Sequence, residues 1–578
     1  MHGRLKVKTS EEQLRSKLIE KEAKVRLFGE IRNKIIDARK NNESSIEILN
    51  LMTECLLKAP EWNLFWNYRR EILINLNFDN DLMNKDLSLT ERCLRENPKA
   101  YAVWHHRSWI LLNIDNPNWN NELELCNKAL KLDERNFHCW DHRRFVVENG
   151  KIPHEKEFEY TEKQILDNIS NYSSWHYRSS FLLNKSTTLN LENELDLINN
   201  AVFTDPLDQS PWFYLRWLMV YNRKKAFIRE LYVNKLLREI VLIVSETVSS
   251  KFMDGVNIII KTIDSISGEE FVYSNGGEGG IREGDKCNMI WKPVLSSDTS
   301  SVWLFSLEDI DLEKKLSITV TCESDPDFKW QCELDSKNQE SLIRVDTDIN
   351  RILCESVSEE MPLEVLNDEL KIVKDLYEME PNNKWVILTI ISILRIIKPL
   401  ESCDEISEKF EILKKIDPMR QQFYSEAWSR FRIECELISL YKNHKRAVVL
   451  ADKNLTAISH LDWMTLMTDI NFSRNQLNSI PEQFKYLVCV SKLDLSCNEI
   501  KSLKNLKPMK SLQHLNVQNN CIVNYEDLEP VFHCVNLISL NIKGNLVSQL
   551  PNLTELIAEH PSSKLHLKSI SIIYDKNV

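Results

Sequence analysis

Glycine is scarce in this chain, with 11 among 578 residues, and seven of the 11 lie between Gly255 and Gly284. Paired cysteines are missing: the 14 Cys are scattered without a C-x-x-C spacing, which fits reduced thiols in a cytosolic protein. There is no positive excess. With 74 Lys and Arg against 86 Asp and Glu the net charge is −12, which argues against a nucleic-acid scaffold, because phosphate binding needs a basic face. No apolar run is long enough to span a bilayer, since the longest, at 385–397, is 13 residues and contains Arg395. The opening MHGRLKVKTSEEQLRSK is charged and has no apolar core, so no secretory leader is expected. Gly is at position 3 rather than 2 and no Cys stands near the final KNV, so lipidation of this chain is not expected either. What remains is a soluble, cytoplasmic, multidomain chain without membrane insertion.

What is present is repetition. Trp66, Trp104, Trp140, Trp175 and Trp212 are spaced 38, 36, 35 and 37 apart, and after the first four an Arg follows three residues on (Arg69, Arg107, Arg143 and Arg178). Self-similarity at this period predicts stacked pairs of antiparallel helices, an all-α superhelix. In the fullest copy, NPKAYAVWHHR at 97–107, Asn97 reads as an N-cap and Pro98 as the first helical residue. Tyr101, Trp104 and Ser108 then fall on one face. Asp205-Pro206 and Asp417-Pro418 repeat the start signal, and segments such as 82–94 and 195–202 supply the second helix of each pair. The five Trp are expected in the core and the repeated Arg against helix ends or carboxylates.

The composition changes after Glu239. Short β-branched runs at 256–263, 302–305, 316–322 and 328–334 surround the glycines, and LSITVTC at 316–322 alternates as a half-buried strand does. These runs predict a small β-sandwich, immunoglobulin-like in architecture only. The GGEGG run at 276–280 reads as a hairpin tip rather than a phosphate cradle, since no helix or Lys-Ser/Thr follows it. Helices are expected again from about Asp348, with Glu380-Pro381 and Trp385, then Asp417-Pro418, Tyr424 and Trp428, as worn sixth and seventh copies. The strands would then be an insertion into a helical domain.

From about Val448 the period shortens. Leu-x-Leu-x-x-Asn-x-Leu patterns end on Asn475, Asn498, Asn520 and Asn545, spaced 23, 22 and 25, with Lys453 in a leading copy. This is the signature of a leucine-rich-repeat solenoid, in which a buried Asn amide satisfies turn backbone that water cannot reach. The predicted domains are 1–239 (helical repeats), 240–346 (sandwich), 347–446 (helical, continued) and 447–578 (leucine-rich).

The Pro-x-x-Tyr-x-x-Trp-x-x-Arg array resembles the repeat of protein prenyltransferase α subunits, not the 34-residue tetratricopeptide pattern. The order of array, sandwich and leucine-rich domain, with the opening MHGRLKVKTSEEQ, is similar to α subunits of the Rab (type II) geranylgeranyltransferases of animals. The resemblance implies a heterodimer whose β subunit carries the zinc and the isoprenoid cavity. That enzyme moves geranylgeranyl from geranylgeranyl diphosphate to C-terminal cysteines of Rab GTPases presented by a Rab escort protein. It also implies a diphosphate contact from the NPK lysine, which is Lys99 here. The farnesyl enzyme uses a Lys one repeat later, where this chain has Arg135, which keeps the charge without the compact ammonium.

No catalytic residue and no metal ligand is expected in this chain itself. His138 and His142 have helical ligand spacing, but His142 holds a position shared by Tyr68, His106, Tyr177 and Tyr214, which marks packing rather than zinc. Zinc activation of the acceptor thiol is therefore expected in trans. His2 is a regulatory candidate, an imidazole able to fill the partner's open zinc position. The competing readings are a non-enzymatic repeat adaptor and an α subunit of a farnesyl or type I enzyme.

Overall fold

The computed structural model describes residues 11–183, 190–220, 227–263, 270–274, 290–295, 298–308, 310–312, 314–323, 325–334, 340–344, 361–443, 445–506, 509–551, 553 and 571–574. The run at 276–280 and His2 lie outside the described residues. The chain divides into two compact units, one of Met1–Val202 with Asp208–Tyr214, the other of Phe203–Leu207 with Leu215–Val578.

The first unit is helical. α1 (Glu11–Lys40) leads into pairs built from α2 (Ile46–Lys58), α3 (Asn63–Asn75), α4 (Asn80–Glu96), α5 (Tyr101–Asn113), α6 (Trp119–Leu132), α7 (Phe137–Asn149), α8 (His154–Asp167) and α9 (Tyr172–Leu183). The division between units falls inside α10 (Leu191–Thr204) and α11 (Gln209–Val220). Side-chain caps open several helices: Ser45, Asp79, Asn118 and Asn136 accept from Ile48, Leu82, Asn121 and Cys139 N–H groups.

Asn97 does not cap α5. It ends α4, and its Oδ1 accepts the Lys99 N–H at 3.2 Å in an Asx turn. Pro98 stays in that turn because its carbonyl takes the Trp104 indole N–H at 2.9 Å, which holds the start of α5 back to Tyr101. Tyr101 is 61% exposed while Trp104 is 5%, so the two do not share a buried face.

In the second unit the strands begin earlier than residue 240. β1 (Ile228–Asn234) pairs with β2 (Glu239–Ser249) and with β9 (Glu340–Arg344), and all seven of its residues are buried. A strand covered on both faces shows no alternation, so its sequence does not announce it. The five-stranded sheet has the order β5-β6-β2-β1-β9, where β5 is Lys292–Pro293 and β6 Thr299–Ser306. The four-stranded sheet has the order β4-β3-β7-β8, from β3 (Val256–Ile263), β4 (Glu270–Ser274), β7 (Lys315–Cys322) and β8 (Asp325–Leu334). Both sheets are antiparallel and share one core of Leu231, Val233, Leu242, Ile258, Ile260, Phe305, Ile318 and Val320. The opposite face of the larger sheet (Tyr232, Val241, Ile243 and Val302) packs into a second core with the residues after 433.

Described helices resume at Leu363–Met379, followed by Lys384–Ile397, Cys403–Ile416 and Gln421–Lys442. Asn383 donates to the Pro206 carbonyl at 2.7 Å, as Asn136 donates to Pro98 at 2.9 Å. Both ends of this bond lie within the second unit. In this copy the buried position six after the Pro is Ile387, not Trp385, and in the following copy it is Tyr424, 1% exposed.

Six three-residue strands complete the unit: Ala447–Val449, Asp469–Asn471, Lys492–Asp494, His514–Asn516, Ser539–Asn541 and Ser571–Ile573, all parallel and adjacent in sequence order. Asn475, Asn498, Asn520 and Asn545 are buried behind them. Each donates to two or more backbone carbonyls and accepts one backbone N–H from the preceding repeat, or two in the case of Asn475. Asn498, for example, donates to Phe472 and Leu495 at 3.0 Å each and accepts from Leu477 at 3.1 Å. Short strands leave turn backbone unpaired, and an amide that both donates and accepts closes that deficit.

Candidate functional site

The repeated Trp and Arg side chains form an internal staple. Trp66, Trp104, Trp140 and Trp175 each donate an indole N–H to the carbonyl six residues earlier, at 2.7–2.9 Å. Trp212 is fully buried. Arg69, Arg107, Arg143 and Arg178 are at most 4% exposed and meet Asp86, Glu122, Glu157 and Glu194 on the following helix. The pair Arg143–Glu157 is bidentate at 2.7 Å on both arms, the geometry that suits guanidinium to carboxylate.

Each carboxylate takes a third bond from the next repeat. His106 meets Asp86 at 2.9 Å, His142 meets Glu122 at 3.3 Å, and the Tyr177 and Tyr214 hydroxyls donate to Glu157 and Glu194 at 3.0 and 2.7 Å. The partners Asp86, Glu122, Glu157 and Glu194 went unnoticed in the sequence. Their spacing of 36, 35 and 37 is that of Trp104, Trp140, Trp175 and Trp212, so the signal was there.

Burial and pairing together set the ionisation of Asp86, His106 and His142. Burial works against the Asp86 carboxylate, but Arg69 and the His106 bond outweigh it and hold Asp86 down to about 2. Burial lowers His106 to about 4 despite the Asp86 carboxylate beside it. His106 Nδ1 accepts from Arg70 at 3.3 Å, which leaves Nε2–H to donate to Asp86. Burial likewise lowers His142. His142 therefore faces a carboxylate and the Ser108 hydroxyl, at 3.1 Å, while His138 lies against Tyr101 and Phe137. Among the described residues no group of three His, Cys, Asp or Glu is placed to hold a metal ion.

The exposed chemistry of this unit lies on the loops between pairs. Lys99, 68% exposed at its side chain, follows α4, and its Nζ stands 3.4 Å from Asp133 Oδ2. Arg135, 66% exposed at its side chain, stands two residues beyond Asp133, 4.0 Å from the Glu134 carboxylate, with Nη2 3.5 Å from the Ser170 carbonyl. The bond from Asn136 to Pro98 ties the two loops together. The two cations that the family resemblance implies are thus brought onto adjoining loops, outside the buried staple. Beside them Tyr101, Phe137 and Tyr172 are 61%, 63% and 52% exposed, one per repeat. Three outward aromatics at repeat spacing are an unusual use of rings that ordinarily bury.

The chain matches the protein prenyltransferase alpha subunit repeat over residues 83–114, 119–150, 154–185 and 191–221. It is 35% identical to the geranylgeranyl transferase type-2 subunit alpha of Pongo abelii over 585 residues, covering 97% of this chain and 99% of that one. The subunit of the same name from Homo sapiens is 35% identical over 581 residues, covering 97% and 98%. That from Saccharomyces cerevisiae is 36% identical over 236 residues, 38% of this chain and 72% of the yeast one. Each matched repeat begins on the helix that carries the stapling carboxylate and ends after the one that carries the Trp, with the stapling Arg three residues on in the first three. With identity along nearly its whole length as well, the chain belongs to the protein prenyltransferase alpha subunits, as a member of the geranylgeranyl transferase type-2 subunit alpha family.

Proposed function

We propose that this chain works as the scaffold half of a cytoplasmic heterodimer. Its β subunit would carry the zinc and the isoprenoid cavity. The substrates would be geranylgeranyl diphosphate and Rab GTPases presented by a Rab escort protein. The observation that carries this reading is the exposed row of Lys99, Tyr101, Arg135, Phe137 and Tyr172 on successive repeats. Its aromatics offer apolar area to a partner, and its cations stand ready for an anion bound there.

In the reaction a cysteine sulfur forms a C–S bond to C1 of the isoprenoid as the C1–O bond breaks. The electron pair leaves on the diphosphate and the thiol proton goes to solvent. Negative charge grows on the leaving group, so a fixed cation lowers the barrier. Lys99 is assigned that role, with Arg135 as a second cation, and the zinc, when bound to the partner, would lower the pKa of the acceptor cysteine so that it attacks as thiolate. The strands from Ile228 to Arg344 are read as an immunoglobulin-like insertion and residues 447–578 as a leucine-rich solenoid. His2 is read as a regulatory ligand in trans, tested by zinc occupancy and turnover of the His2→Ala heterodimer.

The test is co-expression of the tagged chain with a type-2 β subunit. A stable heterodimer that prenylates Rab only with escort protein is expected. Combined Tyr101→Ala, Phe137→Ala and Tyr172→Ala should weaken subunit association without unfolding the chain. No association of the unaltered chain with any prenyltransferase β subunit would sink the proposal.

A further inference from the structure

We propose that Asp133 is a positioning residue that sets where the Lys99 ammonium stands, an inference that rests on reading Lys99 as a diphosphate contact. Three observations converge. The carboxylate is held by its own backbone: Asp133 ends α6, where its N–H bonds Ala129, and its Oδ1 accepts the Arg135 N–H at 3.2 Å. Its second oxygen is turned to Lys99 Nζ at 3.4 Å. The two loops cannot drift apart readily, because the buried Asn136, 1% exposed, donates across to the Pro98 carbonyl at 2.9 Å.

Asp133 is thus the fixed half of the pair and Lys99 the flexible arm. A free lysine on a four-carbon stem loses rotamer freedom each time it meets an anion. An ammonium with three donors can give one to Asp133 and keep two for phosphate oxygens. The tether therefore pre-orders Lys99 before the diphosphate arrives. Because charge on the diphosphate grows toward the transition state, a better-placed cation acts on turnover more than on diphosphate binding. The Asp133 charge slightly opposes the anion, and solvent between exposed groups keeps that term small.

Asp133→Asn separates the two jobs of the side chain, since an amide oxygen still accepts the Arg135 N–H while the charge facing Lys99 is gone. In the heterodimer with its β subunit, geranylgeranyl diphosphate and escort-presented Rab, Asp133→Asn should lower kcat about fivefold, the range of one exposed ion pair. KM for the diphosphate and the melting temperature should barely move, and Asp133→Glu should restore part of the rate. In a Lys99→Ala background Asp133→Asn should have no further effect. If Lys99→Ala alone leaves turnover unchanged, the assignment of Lys99 itself fails. If Lys99→Ala slows turnover but Asp133→Asn does not, or slows it equally without Lys99, the positioning role alone is overturned. A faster Asp133→Asn enzyme would also overturn it, since Asp133 would then restrain Lys99 rather than place it.

Discussion

The helical unit and the parallel-strand stack each bury a recurring polar motif, and they bury opposite kinds. In the helices it is an ion pair, Arg143 with Glu157 or Arg178 with Glu194. In the strands it is a neutral amide, Asn475 or Asn498. A helix closes its own backbone bonds, so its buried polar group is spent on side-chain stapling between helices. A three-residue strand leaves turn backbone open, so its buried polar group must serve the backbone. The first solution buries charge and carries the larger desolvation cost; the second buries a neutral amide, whose smaller cost its hydrogen bonds offset.

The comparison can be broken most sharply at the staple. Arg143→Ala leaves Glu157 buried and uncompensated, with only Tyr177 bonded to it, and should cost about 3–5 kcal/mol in denaturant unfolding. Pairing Arg143→Met with Glu157→Leu should recover most of that loss. Trp140→Ala should cost about 3–5 kcal/mol by cavity formation. If the double variant stays as unstable as Arg143→Ala, the ion pair contributes more than its own compensation.

In the strands, Asn498→Asp keeps the acceptor for Leu477 but loses the amide donations to Phe472, Leu495 and Ser496. A loss of about 2–4 kcal/mol is expected. This change also places a titrating group where none was needed, so the stack should lose stability as pH rises, the reverse of the helical unit.

Acid should separate the two regions next. His106 takes its proton at about 4 in the folded chain, against 6.5 for a free imidazole. Between those values the unfolded chain binds the proton and the folded one resists it. The contribution is therefore fully present above about pH 6.5 and is lost as pH falls to about 4, a change of about 3 kcal/mol. Asp86, held at about 2 against 3.8, adds a second loss below that window. His142→Tyr, which copies the hydroxyl-to-Glu bond of Tyr177 and Tyr214, should make the acid slope shallower by removing one buried imidazole. The pH dependence of unfolding, followed by tryptophan fluorescence, checks both.

Tyr101→Ala should have the smallest effect on the isolated chain, within about 0.5 kcal/mol, because the ring is exposed. A large loss would mean that this ring belongs to the array's core after all.

The two periods were legible because Trp followed by Arg at a fixed offset, and Asn at a fixed offset between leucines, are distinctive. The stapling carboxylates repeat in the same register but hide among 86 acidic residues. Strand β1 was hidden because both faces are covered, by the smaller sheet and by the core around Leu437 and Trp463. Asn97-Pro98 misled because the same pair that opens a helix also closes one and turns: Asn97 spends its oxygen on Lys99 N–H, and Pro98 its carbonyl on Trp104 and Asn136. Lys99 and Arg135 came from family resemblance, and nothing in the sequence pointed to Asp133 between them.

By itself the sequence determined the helix-pair and strand repeats, because a period depends on the length of local elements and recurs whatever surrounds it. Only the tertiary structure decided which polar groups meet. Asp86 finds Arg69 17 residues before it and His106 20 residues after it, and Tyr101 turns outward while Trp104 turns in. Pairing and desolvation depend on what neighbouring helices bring, and no stretch of chain carries that alone.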